Sequence, residues 1–66
     1  MQAIVTTTST SVTHPDGSVT VTLATGITNE DWMTEVVAIQ DRYPKRYAQW
    51  LLDAEGRDVF EIGAAK

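Results

Sequence analysis

Residues 47 to 62 confine the fold more than any other part of the chain. The run Tyr47-Ala48-Gln49-Trp50-Leu51-Leu52-Asp53-Ala54-Glu55-Gly56-Arg57-Asp58-Val59-Phe60-Glu61-Ile62 carries most of the large apolar side chains that can build a core. Ala54-Glu55-Gly56 suits a hairpin loop, since glycine takes the left-handed conformation that closes a type I turn with a bulge. That loop sets Trp50 opposite Phe60, Ala48 opposite Ile62 and Leu52 opposite Asp58. Ala48, Trp50, Leu52, Phe60 and Ile62 then share a core face, while Tyr47, Gln49, Leu51, Arg57, Val59 and Glu61 share the other. A second helix begun at Pro44 is the alternative. It would align Tyr47, Trp50, Leu51 and Ala54 and end at Gly56. Short apolar runs fit either period. The hairpin is preferred because one turn sorts the large residues of both strands.

Residues 3 to 25 are rich in Thr, Ser and Val, which favour pleated structure. His14-Pro15-Asp16-Gly17-Ser18 interrupts them as a second turn of the same kind, placing His14 opposite Ser18. Val19, Val21 and Leu23 then lie on one face with Val5, Thr7, Ser9, Ser11 and Thr13. Thr8, Thr10, Thr20 and Thr22 take the other face. Between the two hairpins, Thr28 can cap a helix, with Asp31 in the capping-box position and Ile27 and Trp32 placed as a hydrophobic staple. Trp32, Val36, Ile39 and Tyr43 follow helical spacing. Pro44 disfavours helical geometry at Tyr43, so the helix is expected over residues 29 to 42.

The expected fold is therefore α+β, a single domain of order β-β-α-β-β: a four-stranded sheet with one helix packed on one face. The second hairpin and the helix would supply the core, and the Thr-rich hairpin would serve as an edge or docking surface. If residues 44 to 55 are helical, the order becomes β-β-α-α-β. The hairpin-helix-hairpin order resembles the β-grasp arrangement of small bacterial immunoglobulin-binding domains. That resemblance is one of element order; it implies a fold and carries no function.

At 66 residues the chain is near the lower limit for folding without a staple, and it has no cysteine to make one. A domain of this size buries only about 60% of the surface exposed by its unfolded chain. A partner or a second copy often supplies what such a core lacks. The N-terminal residues have neither a basic region nor a sustained apolar run, so no secretory signal or membrane span is expected. Cysteine-free composition fits a cytoplasmic or virion setting. Net charge is −4, unevenly spread. Residues 1 to 41 carry five acids (Asp16, Glu30, Asp31, Glu35, Asp41) and no Lys or Arg, whereas all five basic residues lie in residues 42 to 66.

Tests for chemistry point away from catalysis. His14 is the single histidine, in a turn beside Thr13, Pro15 and Asp16, without the nucleophile and orienting group a catalytic base requires. Ser9, Ser11 and Ser18 read as sheet positions. Glu30, Asp31 and Glu35 crowd the helix start, where capping and the helix dipole account for them. Asp53 to Asp58 resembles a calcium loop only faintly: its glycine comes too early and no distal Glu completes a twelve-residue cage. No catalytic, metal or cofactor residues are assigned, and no cofactor or small-molecule substrate is expected.

Two surfaces carry functional expectations. Leu51 and Val59, flanked by Tyr47, Gln49 and Glu61, form an apolar pair with a polar rim, the anatomy of a protein contact. Arg42, Lys45 and Arg46, with Tyr43, Tyr47 and Trp50 nearby, form the one basic and aromatic cluster, the composition of a nucleic-acid contact. The leading expectation is a non-catalytic protein-binding or assembly module, with a protein partner or self-association. Its size and acidity would suit a phage-encoded structural or host-interacting accessory protein. The alternatives are a small nucleic-acid-binding regulator, and an acidic inhibitor of a nucleic-acid-binding protein using Asp16, Glu30, Asp31, Glu35 and Asp41.

Overall fold

The computed structural model describes residues 2–65; Met1 and Lys66 lie outside them. The elements are β1 (Gln2–Val5), β2 (Ser9–Thr13), β3 (Val19–Leu23), α1 (Asn29–Arg42), β4 (Ala48–Leu52) and β5 (Asp58–Ile62). The class is α+β. Five strands form one antiparallel sheet in the order β1-β2-β3-β5-β4.

The sheet has one strand more than the sequence leads one to expect, because the Thr-rich stretch breaks at Thr6. The Thr6 hydroxyl accepts from the backbone N–H of Thr8 (3.2 Å) and of Ser9 (3.0 Å). A local side-chain bond of this kind competes with the ladder and turns the chain back on itself. Val5 thereby pairs with Thr10. The β-grasp-like arrangement is not confirmed by this sheet, in which β3 and β5 are the antiparallel central neighbours.

Both hairpin registers follow from their turns. His14 N donates to Ser18 O and Gly17 N to His14 O; Asp53 N donates to Arg57 O and Gly56 N to Asp53 O. Gly17 and Gly56 sit at φ +90° and +80°, the left-handed region where a side chain is strained. Asp16 accepts from the N–H and hydroxyl of Ser18. Asp53 does the same work more fully, accepting from the N–H groups of Glu55 and Arg57 and from Arg57 Nε at 2.7 Å.

Helix α1 has the predicted span. Thr28 Oγ1 accepts from Asp31 N at 3.1 Å, and Tyr43 N closes the last turn on Ile39 O. Its inner face packs on the sheet centre. The core is Val19, Val21, Leu23, Ile39, Phe60 and Ile62, with Ile27, Trp32, Val36 and Tyr43 packed against it.

The source of that core is a correction. β3, from the Thr-rich hairpin, is the most deeply buried strand, whereas Ala48, Trp50 and Leu52 of β4 are exposed. Magnitudes give the reason. A helix is about 10–12 Å wide, while five strands at about 4.8 Å spacing span about 19 Å. One helix covers the two central strands and leaves the edges bare.

Candidate protein-contact surface

β4 lies between a bend and a turn. Pro44 ends the helix, Lys45 takes φ +62°, and the Asp53 turn closes the far end. Gly63 N donates to Tyr47 O, and Asp53 N to Arg57 O, which fixes the phase of the ladder. In an antiparallel pair the bonded positions alternate. Gln49 and Leu51 therefore direct their backbone groups at β5. Ala48, Trp50 and Leu52 direct theirs to the opposite side, where no strand is paired among the described residues.

All five β4 residues are exposed, and none is charged. Trp50 is 58% exposed and Leu52 65% exposed although both lie on the helix side of the sheet. Trp50 is nonetheless held in place. Its Nε1 donates to Asp58 Oδ1 at 3.0 Å, and its ring meets Trp32 edge-on, with centroids 6.3 Å apart. Met33 and Val37 add exposed apolar surface on α1. Their helical phase lies opposite that of Glu35, which accepts the Thr8 hydroxyl at 2.7 Å on the β2 side, and so they face the β4 side.

The contact residues expected from sequence divide differently. Tyr47, Gln49 and Leu51 are exposed, Glu61 is half-buried, and Val59 is buried between Leu51 and Thr22 on the neighbouring strands. Val59 therefore flanks Leu51 from the neighbouring strand. What the pattern missed was the other face of the same strand, Trp50 and Leu52, whose assignment to the core assumed that β4 lies under the helix. The signal that could have found it is the absence of charge from Tyr47 to Leu52, which belongs equally to a core strand and to a contact edge.

Two members of the basic cluster meet at Tyr43: the guanidinium carbons of Arg42 and Arg46 lie 6.0 and 5.3 Å from its ring centroid. Arg46 is half-buried and donates to Gly17 O at 3.3 Å, while Arg42 and Lys45 are exposed. Of the acids, Glu30, Asp31 and Asp41 are exposed on α1, whereas Asp16 is engaged in its turn and Glu35 on Thr8.

His14 belongs to a polar chain on the open face of the sheet. Its Nε2 is 2.7 Å from Thr20 Oγ1, and that hydroxyl donates to Glu61 Oε2 at 3.0 Å. The Thr20 proton thus points at the carboxylate, and the ring must donate in turn, the reverse of a base withdrawing a proton from a nucleophile. In the turns, the Arg57 N–H and guanidinium hold the Asp53 carboxyl below the usual carboxylate value, and the Ser18 hydroxyl and N–H do the same for Asp16. The Asp53 oxygens that a calcium loop would need are occupied by these donors. Among the described residues, no helix is long and apolar enough to cross a membrane.

No protein family matches the chain, and no curated protein or solved structure is significantly similar to it.

Proposed function

We propose that this chain is a non-catalytic protein-binding or assembly module whose contacts are made through β4. The observation that carries this is a strand of five consecutive exposed, uncharged residues with its outward backbone groups unpaired among the described residues. Isolated exposed apolar residues are ordinary, but an uncharged, largely apolar edge strand is what folded proteins otherwise avoid, using charge, proline or cover. Trp50, the residue type most often found at the energetic centre of contacts, sits in the middle of this one.

The test is Leu51→Asp with Leu52→Asp. Both side chains are exposed, so the circular dichroism spectrum should stay close to that of the parent, and the melting temperature should match that of the parent at high dilution. Complexes formed in the cells that naturally make the protein, counted by cross-linking and native mass, should be lost. Complexes that survive the double substitution unchanged would sink this reading.

A further inference from the structure

We infer that the strand seated on β4 is β4 of a second copy of this chain, antiparallel about a two-fold axis at Trp50, so that two five-stranded sheets join into one. The inference rests on the reading of β4 as the contact surface and names its occupant.

The backbone sets the first constraint. Ala48, Trp50 and Leu52 present alternating N–H and C=O groups outward, a row that a second extended chain can pair in register. A strand paired antiparallel with its own copy is self-complementary under a two-fold axis. Placing the axis at Trp50 sets Trp50 opposite the second copy's Trp50 and Ala48 opposite its Leu52. These are all outward-directed positions, so each pair exchanges two backbone bonds. Gln49 falls opposite the second copy's Leu51 as a pair without backbone bonds.

Charge favours the same arrangement. Between Arg46 and Asp53 the chain has no charged residue, so no like charges face each other within the paired strands. The flanks differ in sign: Lys45 and Arg46 precede the strand, whereas on the far side Asp53, Glu55 and Asp58 outnumber Arg57, to which Asp53 and Glu55 are ion-paired. Antiparallel self-pairing brings the basic end of each copy to the acidic end of the other, whereas parallel pairing would bring like to like. Cross-strand charges of opposite sign stabilise, and like charges destabilise.

The side chains fit on both faces. On the helix side, the two Trp50 rings become neighbours, each already backed edge-on by Trp32, and Leu52 lies over the small Ala48 of the other copy. On the open side, Leu51 covers Gln49. The positions left bare by a single helix thus cover one another.

Sedimentation equilibrium of the full chain should give twice the 7.3 kDa chain mass. Leu52→Lys places a charge on an exposed position and should raise the dissociation constant about tenfold or more, with the helical signal retained. The register has its own test, made clean by the absence of native cysteine. Chains carrying Gln49→Cys and chains carrying Leu51→Cys are mixed and mildly oxidised. Directly opposed positions without backbone bonds lie about 4.5 Å apart between Cα atoms, within disulfide reach, while the diagonal like-with-like pairs lie about 7–8 Å apart. The mixed 49–51 disulfide should dominate the intact-mass spectrum. Statistical or like-with-like disulfides overturn the register, and a dimer indifferent to Leu52→Lys overturns the edge. A monomer at every accessible concentration overturns the second copy. If native complexes are still lost in the Leu51→Asp, Leu52→Asp chain, β4 then remains the contact surface and a foreign strand is its occupant.

Discussion

Leu23 and Leu52 are the same side chain in opposite circumstances. Leu23 is fully buried at the end of β3, while Leu52 is 65% exposed at the end of β4. Truncating a buried leucine removes its transfer free energy and leaves a cavity, so Leu23→Ala should cost about 2–5 kcal/mol. Leu52→Ala should change the stability of the dilute chain by about 0.5 kcal/mol or less. Urea unfolding followed by circular dichroism distinguishes the two, and equal costs would mean that β4 lies under the helix after all. Asp53 supports a second prediction at this scale. Its folded carboxyl is held below the ordinary value of 3.8, chiefly by the N–H of Arg57. A lowered folded value contributes stability that is complete above the unfolded value and is lost as pH falls toward the folded one. The melting temperature should therefore decline from about pH 4 downward, and Asp53→Asn, which retains an acceptor but no charge, should shallow that decline. Asp16 acts in the same direction, so a residual slope should remain in the variant. An unchanged slope in Asp53→Asn would show that the turn charge does not contribute.

At the scale of elements, what was legible in the sequence is what a turn or a cap dictates locally. Gly17 and Gly56 set both hairpin registers, giving Thr13 opposite Val19 and Trp50 opposite Phe60, because a left-handed residue at a fixed place leaves the flanking strands no freedom. Thr28 and Pro44 bounded the helix just as locally, Thr28 by accepting the Asp31 N–H and Pro44 by disfavouring helical geometry at Tyr43. Two things were not legible. The break at Thr6 depends on whether one hydroxyl among many bonds the backbone, and no residue type marks it. The choice of edge strand depends on how the hairpins dock, where alternating patterns on β3 and β4 suit a central place equally. The candidate surface was accordingly half visible: Tyr47, Gln49 and Leu51 were read as a contact face, while Trp50 and Leu52 on the reverse were assigned to the core. Amide hydrogen exchange tests the strand phase directly. In a Leu52→Lys chain at low concentration, the amides of Gln49 and Leu51 should be protected by β5, and those of Ala48, Trp50 and Leu52 should exchange freely. In the parent chain these last three should become protected as concentration rises. Uniform protection of β4 in the dilute variant would place another strand on its outer edge.

For the molecule as a whole, the decisive quantity is cover. One 14-residue helix shields the centre of a five-stranded sheet, and hydroxyl-bearing side chains such as Thr10, Thr20 and Thr22 clothe much of the reverse face, so the buried core is small for the backbone it must order. Domains near this length balance burial against chain entropy closely, and a contact that hides Trp50, Leu52 and Leu51 then changes the balance of the whole fold. Association that favours the folded state ties melting to concentration by mass action. For a chain that unfolds from a dimer, a tenfold rise in concentration adds about 0.7 kcal/mol per chain, half of RT ln 10 per dimer. In a domain of this size that corresponds to an increase of about 3–6 °C in melting temperature. Differential scanning calorimetry across a hundredfold range should show this rise in the parent chain and lose most of it in Leu52→Lys. A melting temperature independent of concentration in both chains would mean that β4 contributes nothing to stability through self-pairing. The fold would then rest on its one helix and two central strands alone.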